Sequence, residues 1–148
     1  MKTQNGFTLI ELMVVVAVIG ILGAIALPQY SDYVTRGKLT DATAGLANRR
    51  VQIEQFFQDN RTYAGATACA DGGSQFFTFS CLATADDTRL FTLQAAGTAG
   101  GSMAGFTFTV NELGNRTSFV SDALVAKGWA PPAAAPASCW ITRKAGAC

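Results

Sequence analysis

The sequence contains no histidine and only four prolines, and charged side chains make up 14% of its 148 residues. Without histidine it lacks the side chain that most readily exchanges a proton near neutral pH and the commonest zinc ligand. It also has no C-x-x-C pair, no G-x-S-x-G turn, no phosphate-cradling glycine loop and no cluster of carboxylates. The adjacent Asp86 and Asp87 fall between strand patterns and read as a solvated turn, so nothing is expected to be catalytic and no cofactor or metal is implied. A strong charge of one sign is missing as well. Eleven Lys and Arg stand against ten Asp and Glu, a formal net charge of +1, so no overall field draws the protein to nucleic acid or to an acidic membrane surface. Only a local patch of cations could do that.

What the sequence does have is a membrane-length apolar run and four cysteines. The cysteines, Cys69, Cys81, Cys139 and Cys148, all lie downstream of the run. An even count after a membrane segment is the pattern of an exported domain with two disulfides, and sequence alone leaves three pairings open.

The run extends from Phe7 to Leu27, long enough at about 1.5 Å per helical residue to cross a hydrocarbon core of about 30 Å. One carboxylate, Glu11, interrupts it near its start, and a charge in that position asks for a function and a partner. The flanks are not those of a secretory signal, which ends in a small-residue cleavage site after its apolar core. Here a short hydrophilic leader, Met1 to Gly6 with Lys2 as its charge, comes first and the apolar run follows.

The stretch GFTLIELMVVVAVIGILGAIALPQY resembles the class III signal of type IV prepilins. The resemblance implies cleavage after Gly6 by a prepilin peptidase on the cytoplasmic side, with N-methylation of the new first residue, Phe7. Thr8 and Glu11 fall where that family has its Thr and Glu, and Gly20 and Pro28 match its helix-weakening positions. It also implies a partner for Glu11: in a filament, the positive amine of a neighbouring subunit's first residue. Residues 1–6 are then a cleaved leader, 7–28 a span in the membrane and later in the filament core, and 29–148 a globular head. The expected partners are other pilin subunits, the peptidase and methyltransferase, an inner-membrane assembly platform, and the membrane itself before assembly. The expected location is the inner membrane first and an extracellular pilus afterwards.

Downstream of Pro28, apolar side chains recur at Leu39, Ala42, Leu46, Ile53 and Phe57, a helical spacing interrupted at Arg49 and Arg50. Asn60 reads as the stop, because asparagine tolerates the left-handed conformation that ends many helices. After Tyr63 the period shortens. SQFFTFSC, RLFTLQA and GFTFTVNELGNRTSFV alternate apolar and polar residues and predict four strands, with a tight hairpin from Asn111 to Asn115. The expected fold class is α+β, and by the resemblance a pilin fold: a long N-terminal helix, half membrane-spanning and half amphipathic, packed on a small four-stranded antiparallel sheet. Residues 64–74 read as the loop between helix and sheet. Pro131, Pro132 and Pro136 preclude regular structure in the tail. By resemblance to pilin heads, Cys69 pairs with Cys81 and Cys139 with Cys148, the second bridge closing a disulfide region over residues 139–148.

Within the family, RVQIEQFFQDNRTY and the ending CWITRKAGAC are similar to PilE-like minor pilins, which implies a subunit needed for pilus assembly and so for twitching motility, adhesion or DNA uptake. The alternatives are a DNA-binding competence pilin, a major pilin and a type II secretion pseudopilin. For DNA, the candidate phosphate contacts are Lys127, Arg143 and Lys144, with Arg89 and Arg116 from the sheet region and Trp129 or Trp140 to stack. The near-neutral total charge argues for weak or absent binding.

Overall fold

The computed structural model describes residues 7–70, 72–129 and 137–148. The leader, with Gly6, and the three prolines of the tail lie outside the described residues. Contacts divide the chain into two compact units, one ending at Thr35 and the other running from Arg36 to Cys148.

The first unit is the apolar part of a helix, α1 (Leu9–Asn60), which includes Pro28. An 18-residue window of this helix has a mean hydropathy of 2.7 with none of it buried, so by length and composition it is able to cross a membrane. Such a surface is stable only in lipid or against other apolar segments.

In the second unit, α1 buries Leu39, Ala42, Leu46 and Ile53 completely. These are four of the five residues of the stripe legible in the sequence, Phe57 being only partly buried, and they lie on an antiparallel sheet of order β1-β2-β3-β4-β5: β1 (Gly72–Gly73), β2 (Phe77–Leu82), β3 (Thr92–Gly97), β4 (Phe106–Asn111) and β5 (Arg116–Val120). The register sets Phe79 opposite Ala95, Ala95 opposite Phe108, and Phe108 opposite Ser118, so these residues share the inner face. One residue along each strand, Ser80, Gln94, Thr109 and Thr117 form a polar row on the outer face. Phe77, Phe106 and Phe108 are the largest fully buried side chains. Helix and sheet approach closely at Gly45, where a Cβ would collide with the ring of Phe79.

The sheet has five strands where the sequence pattern predicts four. The extra one is two glycines inside the expected loop, and residues without side chains show no alternation to read. Gly72 pairs with Phe79 and Gly73 with Thr78. A one-turn helix, α2 (Asp122–Val125), is likewise too short for periodicity to announce. The hairpin forms as predicted: Asn111 N–H donates to Asn115 O, and Asn115 N–H donates to the Asn111 side-chain oxygen. The helix does end at Asn60, yet the left-handed residue is Arg61, with φ 57°, whose N–H donates to Phe57 O. The Asn60 side chain instead donates to Phe56 O.

Arg49, which breaks the helical stripe in the sequence, holds the loop before the sheet. Its guanidinium donates to Ala68 O at 2.7 Å and Ala70 O at 3.0 Å and lies 5.1 Å from the ring centre of Phe79. The bridge between Cys69 and Cys81 ties the same loop to β2. Arg50 donates to Glu112 O in the hairpin. At the far side of the loop, Tyr63 stacks on Phe57 and meets Phe91 edge-on. Burial, and then the hydrogen bond its hydroxyl donates to Glu54, push the Tyr63 phenol above its ordinary pKa.

Candidate functional site

At the start of α1 the chain closes a reciprocal cap. Thr8 donates to one carboxylate oxygen of Glu11 through its backbone N–H (2.9 Å) and its hydroxyl (2.7 Å), and Glu11 N–H returns a bond of 3.3 Å to the Thr8 hydroxyl. This is a capping box, a Thr with Glu three residues on, which satisfies first-turn N–H groups that have no helical carbonyl four residues earlier to donate to. The T-x-x-E spacing in FTLIEL carries this signal, which is invisible when Glu11 is taken only as a charge. In the single subunit, therefore, Glu11 is already hydrogen-bonded. Phe7 precedes the cap and is 83% exposed. Pro28 lies inside α1, and its carbonyl accepts the Ser31 hydroxyl at 2.9 Å.

The second candidate site is the edge of the head beside β5. Cys139 is bonded to Cys148, closing the last ten residues into a loop. Ser118, buried in β5, fixes this segment to the sheet: its hydroxyl donates to Cys139 O at 2.6 Å and accepts Ile141 N–H at 2.9 Å, and its backbone pairs with Ala137. Ile141 fills the core between those anchors. Ala145 N–H donates to Gly128 O, and the Lys144 side chain passes over Gly128, so the structure brings Lys127 and Lys144 to one place with Arg143 on the same loop. Lys127 and Arg143 are exposed.

The other candidates separate. Arg89 sits in the β2–β3 connection, where the hydroxyl and N–H of Thr88 hold the Asp86 carboxyl below the usual carboxylate range. That geometry is a solvated turn. Trp129 is not available to stack on a base: it is only 3% exposed and meets Phe106 edge-on, with ring centres 5.3 Å apart. An indole of that size supplies apolar area to a core more readily than it stays in water. Trp140 is half-buried, donates its ring N–H to Thr109 O at 2.9 Å, and carries the guanidinium of Arg116 4.4 Å from its ring centre.

A sequence model described as "Prokaryotic N-terminal methylation motif" matches residues 1–27, and one described as "Type IV minor pilin ComP, DNA uptake sequence receptor" matches residues 28–110. The chain belongs to the type IV minor pilins of the ComP family. The ComP match takes in α1 from Pro28 and the sheet through most of β4, and stops short of β5 and the disulfide-closed tail. Among curated relatives, a fimbrial protein of Moraxella nonliquefaciens is 47% identical over 73 residues, 49% of this chain and 47% of that protein. A probable minor fimbrial protein of Dichelobacter nodosus is 46% identical over 65 residues, 44% of this chain and 41% of that protein. The chain spans about half the length of the curated relatives it matches. Among solved structures, the non-core minor pilin PilV of Neisseria meningitidis superposes with a TM-score of 0.54 at 15% identity, covering 62% of this chain and 92% of that one. That likeness shows the pilin fold.

Proposed function

We propose that this minor pilin is cut after Gly6, methylated on Phe7, held in the inner membrane by residues 7–28, and passed by an assembly platform into a pilus made with other pilins. In that filament Glu11 exchanges its bonds to Thr8 for the amine of a neighbouring subunit, and Pro28 and Gly20 give the span the freedom to repack. The apolar surface of the first unit supports this reading, since none of its 18-residue apolar window is buried among the described residues. Processing is tested by mass spectrometry of sheared filaments. The expected mature chain begins at Phe7 and carries one methyl group, and Gly6→Val is expected to leave uncut precursor in the membrane. Any other mature start would overturn the class III reading.

We further propose that the head captures double-stranded DNA, so that the pilus serves DNA uptake. The observation that carries this is the match to a family described as a DNA uptake sequence receptor. The reading is supported by three candidate phosphate contacts: Arg143 and Lys144 on the loop that Cys139 and Cys148 close, and Lys127 next to Gly128, against which that loop rests. A purely assembly role is favoured by one observation, the net charge of +1.

Salt dependence separates the two. With three phosphate contacts, the slope of log affinity against log salt is about −2.7, so affinity for a short duplex falls about 40-fold between 50 and 200 mM salt. Replacing Arg143 and Lys144 together by alanine is expected to flatten that slope by about 1.8 and to weaken all sequences alike. The measurement is a titration of the full chain in neutral detergent, and absence of binding at the lower salt leaves the assembly role alone.

A further inference from the structure

Beside β5, in the second unit, lies a cavity of about 430 Å³ lined by Thr43 and Ala44 of α1, by Arg116, Trp140 and Thr142, and by the Cys139–Cys148 bridge. Volumes of about 300 to 1,000 Å³ accommodate small organic ligands. The cavity wall is built rather than incidental. Trp140 is fixed from three directions, by its own ring N–H on Thr109 O and by the flanking Cys139 O and Ile141 N–H, which both meet the Ser118 hydroxyl. On this held indole rests the Arg116 guanidinium, and Arg116 is exposed. Arranging an Arg on an aromatic face before a ligand arrives removes most of the ordering cost of binding.

The chemistry of that shelf is narrow. A guanidinium stacked on one face can take a second flat ring on the other, while its N–H edge donates in plane to an anion. Thr43 and Thr142 add hydroxyls that donate or accept, and none of the lining residues has an acidic side chain. A planar, hydrogen-bonding group joined to a phosphate fits these demands. A base inside a duplex does not, because its faces are covered by its neighbours in the stack.

We propose that this cavity binds an unpaired nucleotide, its base on the outer face of the Arg116 guanidinium and its phosphate at the N–H edge. The nucleotide comes from a single-stranded DNA end, which rests on the DNA-capture reading above, or from a free deoxynucleoside monophosphate, which does not. A DNA end held there, with the adjoining duplex against Lys127, Arg143 and Lys144, would be gripped at its terminus as well as along its backbone.

The test titrates the full chain in neutral detergent with a blunt duplex, the same duplex bearing a short 3′ overhang, and deoxythymidine monophosphate alone. The overhang is expected to tighten binding by about 5-fold or more. Arg116→Lys, which keeps the charge and loses the plane, is expected to abolish that difference while changing blunt-duplex affinity by less than about 2-fold. Equal affinity for both duplexes would overturn the inference and leave DNA capture standing. A preference that survives in Arg116→Lys would overturn it too, since charge alone would then suffice. If neither duplex binds, DNA capture falls. Quenching of tryptophan fluorescence by the monophosphate, lost in Arg116→Ala, would then uphold the cavity with free nucleotide as its ligand, and absence of quenching would overturn both.

Discussion

Glu11→Val is expected to insert into the membrane at least as well as the native chain and to enter filaments at least about tenfold less. An apolar side chain is preferred by lipid over a carboxylate, so insertion alone would favour the variant. The defect can come from only two places. Glu11 closes the capping box with Thr8, and it is the one carboxylate of the span, which the proposed filament would set against a neighbour's amine. Glu11→Gln separates them, because glutamine caps a helix much as glutamate does and carries no charge. Failure of both variants to assemble, with normal amounts in the membrane, points to the charge. Normal assembly of Glu11→Gln would assign the role to the cap and end the pairing proposal. The measurement is the ratio of sheared-filament to membrane-fraction protein for each variant.

Phe108→Ala is expected to destabilise the head by about 3 to 5 kcal/mol, a large part of the roughly 5 to 15 kcal/mol that holds a domain together. Phe108 is fully buried at the centre of the inner face, with ring centres 6.1 Å from Phe77 and 6.3 Å from Phe106. Removing its ring leaves a cavity that neighbours pinned by α1 above and by strands on either side cannot close. A loss of that size lowers the melting temperature by roughly 10 to 20 °C in a head of this length. Thr107, one residue back, lies on the outer face opposite Ala96 and Phe119, and Thr107→Ala is expected to cost less than about 1 kcal/mol. Thermal melts of the full chain, followed by near-ultraviolet circular dichroism, compare the two. Equal losses would contradict the face assignment.

The features legible in the sequence are those set by local pattern. The span from Phe7, the amphipathic continuation through Ile53, the alternation in β2 to β5 and the Asn111–Asn115 hairpin each follow from spacing within a few turns or a few strand residues. The T-x-x-E cap was legible by the same rule. Tertiary structure decided whatever depends on residues distant in the chain. Arg49 looks like a flaw in an apolar stripe until the carbonyls of Ala68 and Ala70 arrive to accept its N–H groups. The two glycines of β1 have no pattern and become a strand only because β2 offers them an edge. Trp129 and Trp140 are equivalent by composition. Phe106 takes the first into the core, while Ser118 and Thr109 hold the second half out beside Arg116, so that one tryptophan became packing and the other a surface. Periodicity reports which face of an element is apolar. It does not report which polar atoms the finished fold will set against one another, because a hydrogen bond between distant segments leaves no trace in the spacing of either.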